Sequence, residues 1–293
     1  MSNGVSKEKI VVFDLDETLG NFVELGIFWD ALKDYHGDDI PEKHFYEVVD
    51  LFSDFLRPNI LSILKYLLDK KRKGRCNRLM IYTNNQGPKS WARMISRYFD
   101  EKLGEQTFDR IIAAFKIHGK VVEMSRTSHG KSVKDLIRCT KIQPDAEICF
   151  LDDQYHPLME HPNVFYINVK PYVYNMPFRE MAERYYDNMN TQANSGANTR
   201  ANSGANTRAN TRANYIAVED KDDFIATIEK FMKRYNYKAV PKEDIEQDVD
   251  KIISKTIMIH LEEFFNNGEI VPKTRRRRRS RSHRVKGGTR KNK

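Results

Sequence analysis

The sequence predicts an α/β fold built on a doubly wound parallel sheet, and three observations carry that prediction. Five short runs rich in Val, Ile and Phe lack the in-out alternation of a half-exposed strand, which fits strands covered on both faces. Between several of them lie segments with apolar residues at helical spacing. The order of the two kinds of segment alternates along the chain, as a parallel sheet with crossover helices requires.

The first run is KIVVFDLD, Lys9 to Asp16. A helical flap is expected around Phe22 to Tyr35, and NILSILKYLLDK, Asn59 to Lys70, reads as a crossover helix. RLMIYTN, Arg78 to Asn84, is the second strand, and SWARMISRYF, Ser90 to Phe99, is a helix with one apolar face. RIIAAF (Arg110 to Phe115), the short helix SVKDLIR (Ser132 to Arg138), EICFLDD (Glu147 to Asp153) and NVFYINV (Asn163 to Val169) complete the unit. Trp29 and Trp91 are expected in core or lid packing.

This first domain is expected to span residues 1–190. From Ala193 to Arg212 the chain repeats ANSG and ANTR units without a large apolar side chain, so residues 191–214 are expected to be a disordered linker. A solenoid is excluded, since four residues cannot make a supersecondary unit. Residues 215–272 then hold two amphipathic segments. Asp220 to Tyr235 groups Phe224, Ile225, Ile228, Phe231 and Met232; Pro241 to Phe265 groups Ile245, Val249, Ile252, Ile253, Ile257, Leu261 and Phe264. Residues 273–293 form a tail expected to be disordered. It carries twelve of the Lys and Arg residues and no acid, so the net charge of +9 hides a body near −3.

Cys76, Cys139 and Cys149 are odd in number and widely spaced, which argues for reduced thiols inside a cell and against a disulfide framework; none has zinc-site spacing. No signal-peptide core and no uncharged run near the ~18 residues of a membrane span occurs. A soluble intracellular protein of nucleus or cytoplasm is expected.

Ligands of open parallel sheets bind beyond the carboxyl ends of the strands. There the first strand places Asp14 and Asp16, the second Thr83 and Asn84, and the fourth Asp152 and Asp153, with Lys131 or Lys134 just before it. Crowded carboxylates repel and need a cation to remain ionised. An all-oxygen set suits Mg²⁺, which is commonly bound together with a substrate phosphate. A lysine and a threonine hydroxyl can then hold phosphoryl oxygens while one carboxylate attacks phosphorus.

DLDETL, Asp14 to Leu19, resembles the D-x-D-x-T signature of the haloacid dehalogenase (HAD) superfamily of phosphohydrolases, with a Rossmann-like core. Within it, the chain is similar to the phosphatases of the RNA polymerase II C-terminal domain, the FCP/SCP or NLI-interacting-factor-like group. LRPNILSILKYL, MIYTNN, SHGKSVKDL and ICFLDD resemble that group's later motifs in the right order, over roughly Lys9 to Lys170. The resemblance implies that Asp14 is the nucleophile and forms an aspartyl phosphate. Asp16 would be general acid and base. If the strand geometry persists, Asp16 faces the same way as Asp14, and Glu17 points away between its neighbours. Thr18 would order the turn that orients Asp16 and belongs with Asn84 to the substrate-binding set, although helix capping is an alternative for Asn84 and Asn85. Thr83 would hold a phosphoryl oxygen, and Asp14, Asp152 and the backbone carbonyl of Asp16 would form the Mg²⁺ site, with Asp153 either a further ligand or an acid just behind them, since the polymerase-phosphatase group often has Asn there. VKDL selects Lys134 as the phosphate-binding lysine, whereas the wider superfamily selects Lys131; both stay open. His129 and His156 receive no role.

The segment between Thr18 and Thr83 is too short for a separate large cap, and Phe108 to Arg126 lies where the polymerase-phosphatase group carries a sheet insert. A small or absent cap favours a macromolecular substrate, and the resemblance implies phosphorylated Ser or Thr in a protein. Alternatives are the phosphorylated end of a nucleic acid, or a catalytically silent module tethered to nucleic acid. The tail attracts phosphates without reading sequence, so nucleic acid or an acidic protein are its expected partners. In composition it resembles tails on proteins of large DNA viruses, which would place the protein in an infected host cell.

Overall fold

A computed structural model describes residues 7–201, 220–235 and 242–266. Seven strands form among these residues: β1 (Lys9–Phe13), β2 (Arg78–Tyr82), β3 (Arg110–Ile112), β4 (Lys116–Ile117), β5 (Lys120–Val121), β6 (Glu147–Asp152) and β7 (Val164–Asn168). Five pair in parallel in the order β3-β2-β1-β6-β7, and β4 with β5 makes a small antiparallel hairpin. His118 and Gly119 turn that hairpin with φ of 47° and 79°, the left-handed pair that a two-residue turn between twisted strands favours.

Register decides where the functional residues emerge. Phe13 lies opposite Ile81 on one side and Leu151 on the other, so the residues that follow these three leave the sheet at one edge. The strand order reverses direction between β1 and β6, which is the crevice where ligands of such sheets bind.

Eight helices cover the sheet among the described residues: α1 (Val23–His36), α2 (Glu42–Leu51), α3 (Ile60–Arg72), α4 (Lys89–Leu103), α5 (Val133–Thr140), α6 (Phe178–Ala201), α7 (Lys221–Met232) and α8 (Asp244–Asn266). Alternation along β1 divides the core in two. Val11 and Phe13 face seven of the helices, whereas Ile10 and Val12 face α5 and the short turn holding Met159. Each such buried side chain contributes about 1.5–3 kcal/mol relative to exposure. Trp29 and Trp91 are core residues, both edge-on to Phe45 with centroids 5.3 and 5.2 Å away.

Several expectations need correction. The helix expected around Phe22 to Tyr35 forms as α1, but its residues Leu25, Phe28, Trp29 and Leu32 are buried in the main core, so it is part of the body and not a flap. α2 was not anticipated. The domain boundary expected at residue 190 falls inside α6, which runs on through Ala201 into the repeat. Extending a formed helix adds one hydrogen bond per residue without a new nucleus, so a weakly apolar sequence can follow a well-packed first half. The rest of the repeat and the basic tail lie outside the described residues.

The C-terminal pair is not an appendage, because its apolar faces complete the main core. Phe224 of α7 packs edge-on to Tyr35 at 5.0 Å and stacks on Tyr185 at 5.6 Å. Phe264 and Phe265 of α8 close the amino edge of the sheet, where Lys9 Nζ donates to Phe264 O (2.9 Å) and Arg75 Nη2 to Phe265 O (2.7 Å). Ile245 and Ile252, expected on the apolar face of α8, are exposed, since the buried stripe of the helix runs through Asp250, Ser254, Ile257, Leu261 and Phe264 and leaves those two off it. The three cysteines are free and buried. No helix among the described residues is long and apolar enough to cross a membrane.

Candidate active site

Asp14 continues β1 by one residue, its N–H donating to Leu151 O at 2.8 Å. The chain then turns sharply. Glu17 takes φ = 58° and donates its N–H to Gly20 O (2.7 Å), while Leu19 N–H reaches back to Leu15 O (3.0 Å). Gly20 is required, because a Cβ there would lie 2.6 Å from Phe55 O. Arg57, only 1% exposed, holds the turn from below: Nε donates to Thr18 O (2.6 Å), and Nη2 to Glu17 O (2.6 Å) and Lys170 O (2.9 Å).

Lys131 immediately precedes Ser132, which caps α5 by accepting from Asp135 N–H. Its ammonium group is 2% exposed and bridges Asp14 Oδ1 and Asp152 Oδ2, the latter at 2.7 Å. Asp152 also accepts from Gln154 N–H at Oδ1 (2.9 Å), and His156 Nε2 is 3.3 Å from Oδ2. Lys134 is exposed and lines no part of the cavity, so of the two lysines left open Lys131 is the one in the cluster.

A cavity of about 170 Å³ opens above these groups, lined by Asp14, Asp16, Thr83, Asn84, Lys131 and Asp152, with Glu17, Asn85, Asp153, Gln154 and His156. No residue of α1 or α2 lines it. Glu17, expected to point away, belongs to the rim, because its left-handed backbone breaks the strand alternation on which that expectation rested. Thr18 does not reach the cavity. Its hydroxyl donates to Asp153 Oδ1 and accepts from Asp153 N–H, both at 3.2 Å, so it joins the first turn to the end of β6.

Four residues given no role beforehand complete the arrangement. Asn85 Nδ2 donates to Asp16 Oδ2 (2.7 Å), and its own Oδ1 is fixed by Gly87 N–H (2.8 Å). Thr83 Oγ1 accepts from Asn85 N–H at 2.9 Å. Buried Arg126 donates to Thr83 O (3.1 Å), Ala113 O (2.9 Å), Asn84 Oδ1 (2.8 Å) and His129 O (2.8 Å), tying the end of β2 to the loop before Lys131. Arg57 and His156 are the others. The doubled Asn of TNN and the Arg-Pro pair gave a local cue for Asn85 and Arg57; nothing local marks Arg126.

Electrostatics follow from burial. Removal from water pushes Asp14 up to about 6, against the pull of Lys131, and repulsion from Asp152 adds to the rise. Burial likewise raises Asp16, partly offset by Asn85, and raises Asp153, with repulsion from Asp14 and Asp152. Burial also works to raise Asp152, but the bonds from His156 and Lys131 outweigh it and hold that carboxyl below its ordinary value.

Carboxylate oxygens of Asp14, Asp152 and Asp153 lie within 4.8 Å of one another, and Asp16 Oδ1 is buried without a hydrogen-bond partner. One ammonium cannot neutralise these acids. An all-oxygen, strongly anionic cluster of this size fits a hard divalent cation. Of the residues expected at the metal, Asp14, Asp152 and Asp153 bring their carboxylates together, while the carboxylate of Asp16, a residue expected to join through its backbone carbonyl, is held by Asn85. Comparison of the chain with models of known families, with curated proteins and with solved structures finds no match.

Proposed function

We propose that the protein is a Mg²⁺-dependent phosphomonoester hydrolase of the HAD type that works through an aspartyl phosphate on Asp14. The observation that carries this reading is the meeting, at one sheet edge, of a buried Asp14 bound to Lys131 with a second acid, Asp16, whose one oxygen is fixed and whose other is unpartnered.

In the proposed first step a carboxylate oxygen of Asp14 forms a bond to phosphorus and the ester oxygen leaves. Asp16 gives that oxygen a proton from Oδ1, while Asn85 keeps the carboxyl aimed. In the second step Asp16 takes a proton from water, whose oxygen attacks the same phosphorus and releases Asp14 and inorganic phosphate. Thr83 and Lys131 hold the non-bridging oxygens, Lys131 sharing its ammonium with Asp14 and Asp152. Asp14, Asp152 and Asp153 would hold Mg²⁺, which supplies positive charge against the phosphoryl group.

The absence of α1 and α2 from the cavity lining supports a phosphate carried on a macromolecule. Phosphorylated Ser or Thr in a protein rests on the resemblance alone. The test is turnover of an aryl phosphate with Mg²⁺ or with EDTA, for wild type and Asp14→Asn. Turnover is expected only for wild type with Mg²⁺, and equal rates in all four conditions sink the mechanism. During turnover, acid quenching and hydroxylamine should convert Asp14, and no other carboxyl, to a hydroxamate.

A further inference from the structure

Tyr155 lies between Gln154 and His156, both of which line the catalytic cavity. Its loop is fastened at each flank. Gln154 N–H and His156 Nε2 both engage Asp152, while the Tyr166 hydroxyl accepts from His156 N–H and donates to Gln154 O, each at 2.8 Å. The Tyr155 ring lies nearly parallel to the Tyr166 ring, with centroids 5.9 Å apart and planes 12° apart. Even so Tyr155 remains 53% exposed, and Leu158 beside it 64%. An isolated exposed aromatic needs no explanation, but one held this firmly beside a phosphoryl site is a preorganised surface for a planar group.

Cations flank the same opening. A smaller cavity of about 70 Å³ shares Thr83 and Asn85 with the catalytic one and is lined by exposed Arg93 and Arg110, together with Ile117 and Glu123. Ile117 belongs to the β4–β5 hairpin, which also carries Lys116 and Lys120 and no acid. The same chain ends in twelve Lys and Arg without an acid. The platform beside β7 and the cations beside β3 thus stand on either side of the catalytic cavity, and proteins hold single-stranded nucleic acid with these two parts, bases on the rings and phosphates on the cations.

We infer that Tyr155 stacks the terminal base of a single-stranded nucleic acid whose end phosphate enters the Asp14 cavity. The inference rests on the phosphomonoesterase reading and names its substrate class. Later phosphates run toward Arg93 and Arg110.

Binding separates this idea from the chemistry. Full-length Asp14→Asn protein with Mg²⁺ would be titrated, by fluorescence anisotropy, into labelled oligonucleotides ending in a 3′-phosphate, a 5′-phosphate or hydroxyls. Adding Tyr155→Ala should weaken the phosphate-ended probe about 5- to 150-fold, the range of base–aromatic stacking. Tyr155→Phe should restore it, and an abasic terminal nucleotide should cancel the difference. With Asp14 intact, Tyr155→Ala should raise KM for the oligonucleotide more than it lowers kcat, and lower kcat/KM for the oligonucleotide relative to that for an alkyl phosphate. Equal binding with and without Tyr155 overturns the inference. So does a loss confined to a phosphoserine peptide, which would make the platform a peptide site. If neither alkyl phosphate nor oligonucleotide is hydrolysed, the chemistry fails, and the binding ratios still decide the role of Tyr155.

Discussion

Replacing Arg57 with Met would remove the guanidinium beneath the nucleophile turn while keeping most of its buried volume. Three carbonyls lose a charged donor, but Glu17 O keeps a second one, since Tyr172 N–H reaches it at 2.8 Å. Thr18 O and Lys170 O are left without that donor. A buried acceptor left unmade costs about 1–3 kcal/mol, so the two together cost about 2–6 kcal/mol. Arg57 itself is penalised by its surroundings. Burial pulls its guanidinium down to about 10, against the nearby negative charge of Asp250, and Nη1 has no hydrogen-bond partner. Relief of that penalty places the net loss in the lower half, about 2–4 kcal/mol, a large share of a typical stability of ~5–15 kcal/mol. Urea unfolding with an unchanged m-value measures it as a shifted midpoint. Turnover measured well below the new midpoint should also fall, because the turn bearing Asp16 loses its floor and a misplacement of ~1 Å can cost about 100-fold. Arg57→Lys should not rescue either quantity, as one ammonium cannot span three carbonyls. A loss of stability under about 0.5 kcal/mol for Arg57→Met, near the usual scatter of surface substitutions, would refute the reasoning.

Other expectations follow from single contacts. Lys131→Met should reduce phosphomonoester turnover by about 100-fold or more, the usual consequence of losing one preorganised transition-state contact, whereas Lys134→Met should leave it within twofold; comparable effects would contradict the assignment. Burial, aided by the neighbouring His44, pushes His36 down to about 4 from 6.5, and its Nε2 is buried without a hydrogen-bond partner. The unfolded chain therefore binds the extra proton first, so stability should fall as pH drops from about 6.5 toward 4 and then level off for this group. His36→Phe should flatten that limb in a series of urea midpoints, and an unchanged slope would count against it. Ending the chain at Val271 should weaken polyanion binding and reduce its salt dependence while aryl phosphate turnover persists; collapse of turnover would assign the tail to the catalytic unit.

What could be read in the sequence was what local pattern determines. The run KIVVF declares a strand because both of its faces are buried, and the acids that end it, with Thr83 and Asp152, declare the working edge because register alone brings strand ends together. The choice between Lys131 and Lys134 was not legible. It depends on where the turn before α5 stands relative to β1, a distance that spacing within SHGKSVKDL does not contain. Asn85 and Arg126 escaped for the same reason, since Asn85 acts on Asp16, 69 residues away, and Arg126 reaches Thr83, 43 residues away. Glu17 was misplaced because period-2 reasoning holds only while the chain remains a strand, and at Glu17 it has become a turn. Along α8 the apolar spacing was legible, but not which side of the helix meets the body: the buried stripe runs through Asp250, Ser254, Ile257 and Leu261 and leaves Ile245 and Ile252 exposed.

The bond from Lys9 to Phe264 sets a schedule for the newborn protein. These partners are 255 residues apart, so the strand that presents Asp14 is made well before its cover. At ~5–20 residues per second, synthesis separates them by roughly 10–50 s. Throughout that interval the amino edge of β1 waits without its cover of Phe264 and Phe265, and the chain carries its apolar sheet edge exposed to whatever else is nearby. Slowing translation within α8 should therefore lower soluble yield more than an equal pause placed after it.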